Sequence, residues 1–351
     1  MVEQEASDLF LKVGNHPFFR IHGKLIPIGE ESLTQQQVVE FASDLMGPHR
    51  RQLFHAEREL NFAFERAGVG RFRANVLWQK GTMALVIRRV QSAIPTLDEL
   101  NLPAEVLTRF LQEQHGLVLI TGPTGSGKST TVSAMLEHLN QTVPKHIVTL
   151  EDPIEFQFKE QQSIINQREV GVDTRSFSEG LRNVLRQNPD VLFVSDIRDR
   201  ETMEASLLAA EAGQLVLSCL HTTNVVSTIE RLVAFFPSHQ QQLIRLRLSL
   251  ALRGIVCLRL LQRADGSGRV PACEILVATP TVRELIREGR TEQLPPTLHD
   301  GLMYGMQTFT RALHQRYRQG DVDLEEALRH ADSPEELQLA IREIRSTRDA
   351  Q

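Results

Sequence analysis

Residues 122–129 read Gly-Pro-Thr-Gly-Ser-Gly-Lys-Ser, an octet of the form G-x-x-x-x-G-K-[ST], the loop that cradles phosphate groups. Its flanks agree with it. Leu117-Val118-Leu119-Ile120 is a short apolar run, as a buried strand should be, and Thr130–Leu136 continues as a helix. Glycines let backbone N–H groups converge on phosphate oxygens, and the helix N-terminus adds positive potential. Gly122, Pro123, Thr124, Gly125, Ser126, Gly127, Lys128, Ser129 and Thr130 are therefore the candidate phosphate-binding residues. In such a loop the lysine, Lys128, reaches the β- and γ-phosphates, and the hydroxyl of Ser129 ligates Mg²⁺.

From Val106 onward, helical stretches alternate with apolar strands at Leu117–Ile120, His146–Leu150, Val191–Val194 and Leu215–Leu220. That alternation predicts a parallel sheet flanked by helices. Before it, residues 1–93 read as a smaller α/β domain. Asp8–Val13 and Phe18–Ile28 are strand-like, the latter with a turn at His22-Gly23-Lys24. Thr34 and Gln37 form a T-x-x-Q capping box that opens a helix to about Met46. Leu60–Phe64 alternates, and Gly70–Trp78 and Met83–Val90 form a hairpin turning at Gln79-Lys80-Gly81. Trp78 reads as a packing residue. Residues 94–104, with two prolines, read as an ordered linker, 105–290 as the nucleotide-binding domain and 291–351 as a helical C-terminal region. Ile286–Arg290 reads as a helix end capped by glycine, and Ser333-Pro334-Glu335-Glu336 starts a last helix. In Gln240–Arg263, an apolar-rich stretch with five arginines, the arginines form either a face toward a partner or phosphate, or a solvated face backed by apolar packing.

Composition narrows the class. At 351 residues the chain holds two or three domains. Its 41% hydrophobic and 24% charged content is ordinary for a soluble globular protein. No apolar run approaches the ~20 residues that span a bilayer, and residues 1–20 lack a signal peptide's apolar core. Three scattered cysteines imply a reducing cytosol and no disulfide framework. A net charge of −5, one tryptophan and two tyrosines argue against a motor on nucleic acid. The histidines show no spacing for a zinc site.

A phosphate-binding loop alone only binds; hydrolysis also needs an acid for Mg²⁺ and a carboxylate that orients water. Asp196, after the strand Val191–Val194, is the candidate metal acid. Glu151, Asp152 and Glu155 follow the strand His146–Leu150, at the sheet edge where a parallel-sheet ligand binds. Spacing leaves open which of the three acts.

These segments together resemble the type IV pilus retraction (twitching motility, PilT) ATPase family, within the type II/IV secretion ATPases. The resemblance runs from about Ala6 to Ile344. It rests on Ala6–Leu9, Arg71–Val76, Thr121–Thr131, Thr149–Glu155, Asn166–Gly171, Leu185–Val191, Leu220–Thr223, Gly268–Ile275 and Met306–Phe309. It implies a PAS-like N-terminal domain, a RecA-like ATPase domain and a homohexamer. That hexamer hydrolyses ATP to drive pilus retraction in the bacterial cytoplasm, at the inner face of the inner membrane. A platform protein there and a sister pilus ATPase are the implied partners. The resemblance points to Glu155 as general base, to Arg73 and Arg88 as arginines completing the site, and to His221 as a γ-phosphate sensor or domain contact. The chain departs from the family pattern at three places. Ser195-Asp196 replaces Gly-Glu, Gln214 replaces a histidine, and Glu284 replaces an asparagine. The departures motivate an alternative, an accessory subunit with weakened hydrolysis that modulates another motor.

Overall fold

The computed structural model describes residues 1–21, 23–90 and 93–348. His22 of the expected turn and the last three residues of the expected tail lie outside the described residues. Two compact units emerge. One comprises Met1–Ala93 with Glu155–Gln157; the other comprises Ile94–Ile154 with Phe158–Gln351.

The first unit is an antiparallel sheet with a helix on one face, as the PAS-like expectation has it. Its elements are β1 (Asp8–Lys12), β2 (Phe18–Ile21), β3 (Lys24–Pro27), α1 (Gln35–Glu57), β4 (Glu59–Arg66), β5 (Gly70–Gln79) and β6 (Thr82–Arg89), in the sheet order β3-β2-β1-β6-β5-β4. The capping box is formed: the Gln37 N–H donates to Thr34 Oγ1 at 3.3 Å, and the Thr34 N–H donates to Gln37 Oε1 at 2.8 Å. The helix does break after Met46. Gly47 has φ 65° and ψ 176°, but the chain resumes helically at Pro48 and runs to Glu57. Proline disfavours helical geometry in the residue before it, yet it starts a new helical turn without loss. Phe54 on the resumed segment stacks on Trp78, ring centroids 6.1 Å apart, so Trp78 is a packing residue.

The second unit is a seven-stranded sheet between two helical layers. Along the chain come α2 (Ala104–Leu111), β7 (Gly116–Thr121), α3 (Lys128–Thr142), β8 (His146–Glu151), β9 (Ile164–Glu169), α4 (Phe177–Val184), β10 (Val191–Val194), α5 (Arg200–Glu211), β11 (Leu215–Leu220), α6 (Val225–Ala234), α7 (Ser238–Ala251), β12 (Leu252–Gln262) and β13 (Arg269–Val277). The tail adds α8 (Pro280–Glu288), α9 (Leu294–Asp300), α10 (Phe309–Gln319), α11 (Leu324–Arg329) and α12 (Pro334–Arg348). The sheet order is β13-β12-β7-β11-β10-β8-β9, with every neighbouring pair parallel except β12–β13. Strands covered on both faces read as continuous apolar runs. β7 accordingly is buried throughout, with Leu117 and Leu119 packed in one core and Val118 and Ile120 in the other.

Two segments differ from the sequence expectation. β9 carries Asn166, Gln167 and Arg168, polar residues of an edge strand without a periodic signal. The stretch Gln240–Arg263 is no single face. It is most of α7 followed directly by β12, the backbone switching at Leu252 (φ −62°, ψ 133°). Four of its five arginines are taken up separately: Arg247 by Glu211, Arg253 by Glu113, Arg259 by Asp332 and Arg263 by Asp321. Gly289 caps α8 with φ 75°, as expected. No helix among the described residues is long and apolar enough to cross a membrane.

Gly254 shows how tightly β12 is packed. A Cβ there would lie 2.2 Å from Phe110 Cζ, against the ring that α2 lays on the strand. Gly254→Ala should therefore overpack the core by about 1–3 kcal/mol. A thermal melt should show the apparent Tm lowered by roughly 2–4 °C per kcal/mol.

Candidate functional site

The parallel strands β7, β11, β10 and β8 are in register, so their C-terminal ends lie together, which is where open α/β sheets bind ligands. Each end delivers one functional segment. β7 ends at Thr121 and enters the phosphate loop. β11 ends at Leu220 and delivers His221. β10 ends at Val194 and delivers Asp196. β8 ends at Glu151 and opens the acidic segment.

The loop has the backbone its glycines predict. Gly122 has φ 146° and Gly127 has φ 95°, both in the left-handed region that favours glycine. A Cβ on Gly122 would meet Ser126 Oγ at 2.5 Å and the Leu258 carbonyl at 2.6 Å. Gly127 caps α3 without a side-chain hydrogen bond, so the first-turn N–H groups of α3 point toward the loop without a capping side chain. The Lys128 ammonium is largely buried and donates to the carbonyls of Gly122 (2.8 Å) and Pro123 (3.0 Å).

Beyond Lys128 runs a continuous polar chain. Lys128 Nζ lies 3.4 Å from His221 Nδ1, and His221 Nε2 lies 3.2 Å from Asp196 Oδ2. An ammonium only donates and a carboxylate only accepts, so Nδ1 accepts and the ring proton sits on Nε2. Asp196 Oδ2 also accepts from Arg198 Nε at 2.6 Å, and Arg198 reaches Asp152 Oδ2 at 3.3 Å. The Arg198 guanidinium is held above its ordinary value, first by its hydrogen bond to Asp196. Asp152 is fixed again by its N–H, which donates to Ser195 Oγ at 3.1 Å.

The three acids at the C-terminal end of β8 are not equivalent. Glu151 is buried and accepts from Thr149 Oγ1 (2.6 Å) and Gln167 Nε2 (3.1 Å). Asp152 belongs to the Arg198 chain. Glu155 is exposed, and it groups with the first unit. Asp196 is buried, and among the described residues its Oδ1 has no hydrogen-bond partner. An acceptor oxygen buried in that condition suits a hydrated cation or its water. Together with the Ser129 hydroxyl and the glycine cradle, it makes a donor set that fits Mg²⁺ and a polyphosphate.

Arg73 and Arg88 lie in the first unit, directly opposite each other on β5 and β6. The row continues across the sheet, Arg88 opposite Asp8 on β1 and Asp8 opposite Arg20 on β2. Like charges directly opposite each other destabilise a sheet. Asp8 offsets this here. It is buried, and its carboxylate meets Arg88 Nε at 2.8 Å and Arg20 Nε at 3.3 Å. The Arg88 side chain stays 70% exposed.

The profile of the type II/IV secretion system protein family matches residues 1–329. The chain belongs to that family. It is similar to two Pseudomonas aeruginosa proteins. The type IV pilus ATPase PilU is 41% identical over 342 residues, 97% of this chain and 89% of that protein. The type IV pilus retraction ATPase PilT is 41% identical over 333 residues, 95% of this chain and 96% of that protein. Among solved structures, the pilus retraction motor PilT with bound ADP superposes with a TM-score of 0.89 at 41% identity, covering 96% of both chains.

Within the family fold, Lys128, Ser129, His221 and Asp196 come together in the second unit, and Arg73 and Arg88 form a pair in the first. Gln214 does not join the site; it precedes β11, at the end of that strand away from His221. Two participants escaped the sequence reading. Arg198 gave no signal of its own, although an arginine two residues after a buried acid is positioned to fold back onto it. Asp8 gave no signal until strand pairing set it beside Arg88.

Gly122→Ala should lower the apparent Tm and weaken ADP binding at least tenfold, by about 1.4 kcal/mol or more, because its Cβ crowds Ser126 and the Leu258 carbonyl at a backbone conformation that favours glycine. Calorimetric titration with ADP and Mg²⁺ checks this.

Proposed function

We propose that this chain is an ATP-hydrolysing motor subunit that drives type IV pilus retraction, working as a homohexamer on a platform protein at the cytoplasmic face of the inner membrane. The observation that carries the reading is the hydrogen-bonded chain from Lys128 through His221 to Asp196, set at the end of β7 beside a glycine cradle. The names of the two P. aeruginosa relatives support its assignment to the pilus.

In this mechanism the loop amides and the α3 N-terminus bind the phosphates, and Lys128 exchanges the Gly122 and Pro123 carbonyls for β- and γ-phosphate oxygens. His221 accepts from Lys128 and donates to Asp196, so it registers where Lys128 is. Glu155, the exposed acid of the three, orients the attacking water. Arg73 and Arg88, supplied by an adjacent subunit, stabilise charge on the transferring phosphoryl group, a contribution worth about 10³–10⁵ in GTPases. Ser129 and Asp196 would hold Mg²⁺, which would supply positive charge to offset that of the β- and γ-phosphates.

A second reading, an accessory subunit with slow turnover that modulates a sister ATPase, has one observation in its favour. Asp196 has given Oδ2 to Arg198 and His221, so only Oδ1 is left for a metal. Asp196→Glu in the purified protein separates the two. A rise in turnover of about tenfold favours the accessory role, and no gain favours the motor.

The primary test is phosphate release. Lys128→Ala and Glu155→Gln should each reduce it by about 10²–10³, with Glu155→Gln retaining nucleotide binding. Unchanged release overturns the mechanism. In cells, deleting this chain should leave pili that extend but fail to retract in a tethered-bead assay.

A further inference from the structure

Glu274 is a largely buried acid that the mechanism above does not use. It lies on β13 opposite Cys257 of β12, and Cys257 lies opposite Thr121 of β7, the residue just before the phosphate loop. Its carboxylate reaches out of the sheet. Glu274 Oε1 accepts from the N–H of Val225, the first residue of α6, at 2.7 Å. Only four residues, His221 to Asn224, separate α6 from the end of β11. Those residues are pinned to the helix. Thr222 Oγ1 lies 2.7 Å from Thr228 Oγ1, which donates to the Asn224 carbonyl at 2.7 Å. The carboxyl therefore holds the base of the segment that presents His221 to Lys128.

We propose that Glu274 is a proton-responsive positioning residue, one whose loss of a proton tightens the anchor on α6 and sets His221 against Lys128. The inference rests on the ATPase reading above.

Four sets of groups face this carboxyl. The α6 N-terminus offers N–H groups and positive potential, which favour the anion. On β12, Arg259 also favours it, and the Cys257 thiol donates to it. After α11, Asp332 opposes the anion, although Arg259 partly cancels it through a 2.7 Å pair. Burial opposes it most and, with Asp332, outweighs the rest, so the Glu274 pKa is pushed up to about 7. Cys257 is itself pushed well up by burial and stays a neutral thiol. Glu274 thus changes charge in the range where the cytoplasm varies, while a bond to the charged form is the stronger one.

The direction follows. Folding raises this acid's proton affinity, so its contribution to stability is full below about 4.5, falls as pH rises and is lost above about 7. Turnover runs the opposite way, because the anion is the better acceptor for Val225.

Glu274→Gln keeps an acceptor oxygen for Val225 and cannot ionise. The full-length protein and this variant are compared by phosphate release, and by melting, from about pH 6 to pH 8. We expect wild-type turnover to rise about threefold or more across this range. The variant should stay near the wild-type value at pH 6, with ADP affinity within about threefold of wild type. Its Tm advantage over wild type should grow with pH and level off above about 7. Superimposable turnover profiles overturn the proposal, as does a Tm difference that does not vary with pH. If Glu274→Gln does not fold, Glu274→Ala on the same two axes decides, with a flat profile supporting and a wild-type profile overturning. Absence of any phosphate release from the wild-type protein tells instead against the ATPase reading.

Discussion

Strand register is the constraint on which the chemistry of this molecule depends. β7, β11, β10 and β8 run parallel with Thr121, Leu220, Val194 and Leu150 near their common edge. A shift of one residue in any pair would turn buried apolar side chains toward the wrong face, and burial on both faces forbids it. The same register carries Lys128, His221, Asp196 and Asp152 to within hydrogen-bonding reach of their neighbours in the chain. Precision at the site is thus inherited from packing several residues away, by side chains that never touch a ligand.

What was legible in the sequence follows from where its signals are local. The phosphate loop, the strand before it and the helix after it are consecutive, and glycine spacing alone prescribes their backbone. The apolar runs of β8, β10 and β11 are equally plain, because a strand buried on both faces has no polar residue to blur it. β9 is an edge strand, and its polar sequence looks like a loop. β12 follows α7 directly, and an apolar run does not announce its period at such a junction. Pairing between distant residues was the least legible. The Arg198–Asp196 contact is short-range and derivable in principle, whereas Asp8 against Arg88 depends on an antiparallel pairing between residues 80 positions apart.

Asp8 illustrates why a row of charges can be kept in a sheet. Arg73 and Arg88 face each other across β5 and β6, an arrangement a sheet would ordinarily avoid. A buried carboxylate at the next position across the sheet binds Arg88 by Nε and Arg20 from the far side, which fixes the direction of the Arg88 stem while most of the side chain stays exposed. Arginine suits this because its planar fork can be held through one nitrogen while the others remain available to donate.

A similar division of labour explains how Asp196 can stand where the family pattern has glutamate. The shorter side chain cannot reach as far, but its two oxygens are assigned separate tasks. Oδ2 is held by Arg198 and His221, and Oδ1 is left buried without a hydrogen-bond partner among the described residues. Arg198 also reaches Asp152, so the position of Asp196 is tied to the residue that follows β8. The residue that looks like a defect against the family pattern is therefore embedded in a hydrogen-bonded network. The Arg198 bridge is what ties Asp196 to Asp152.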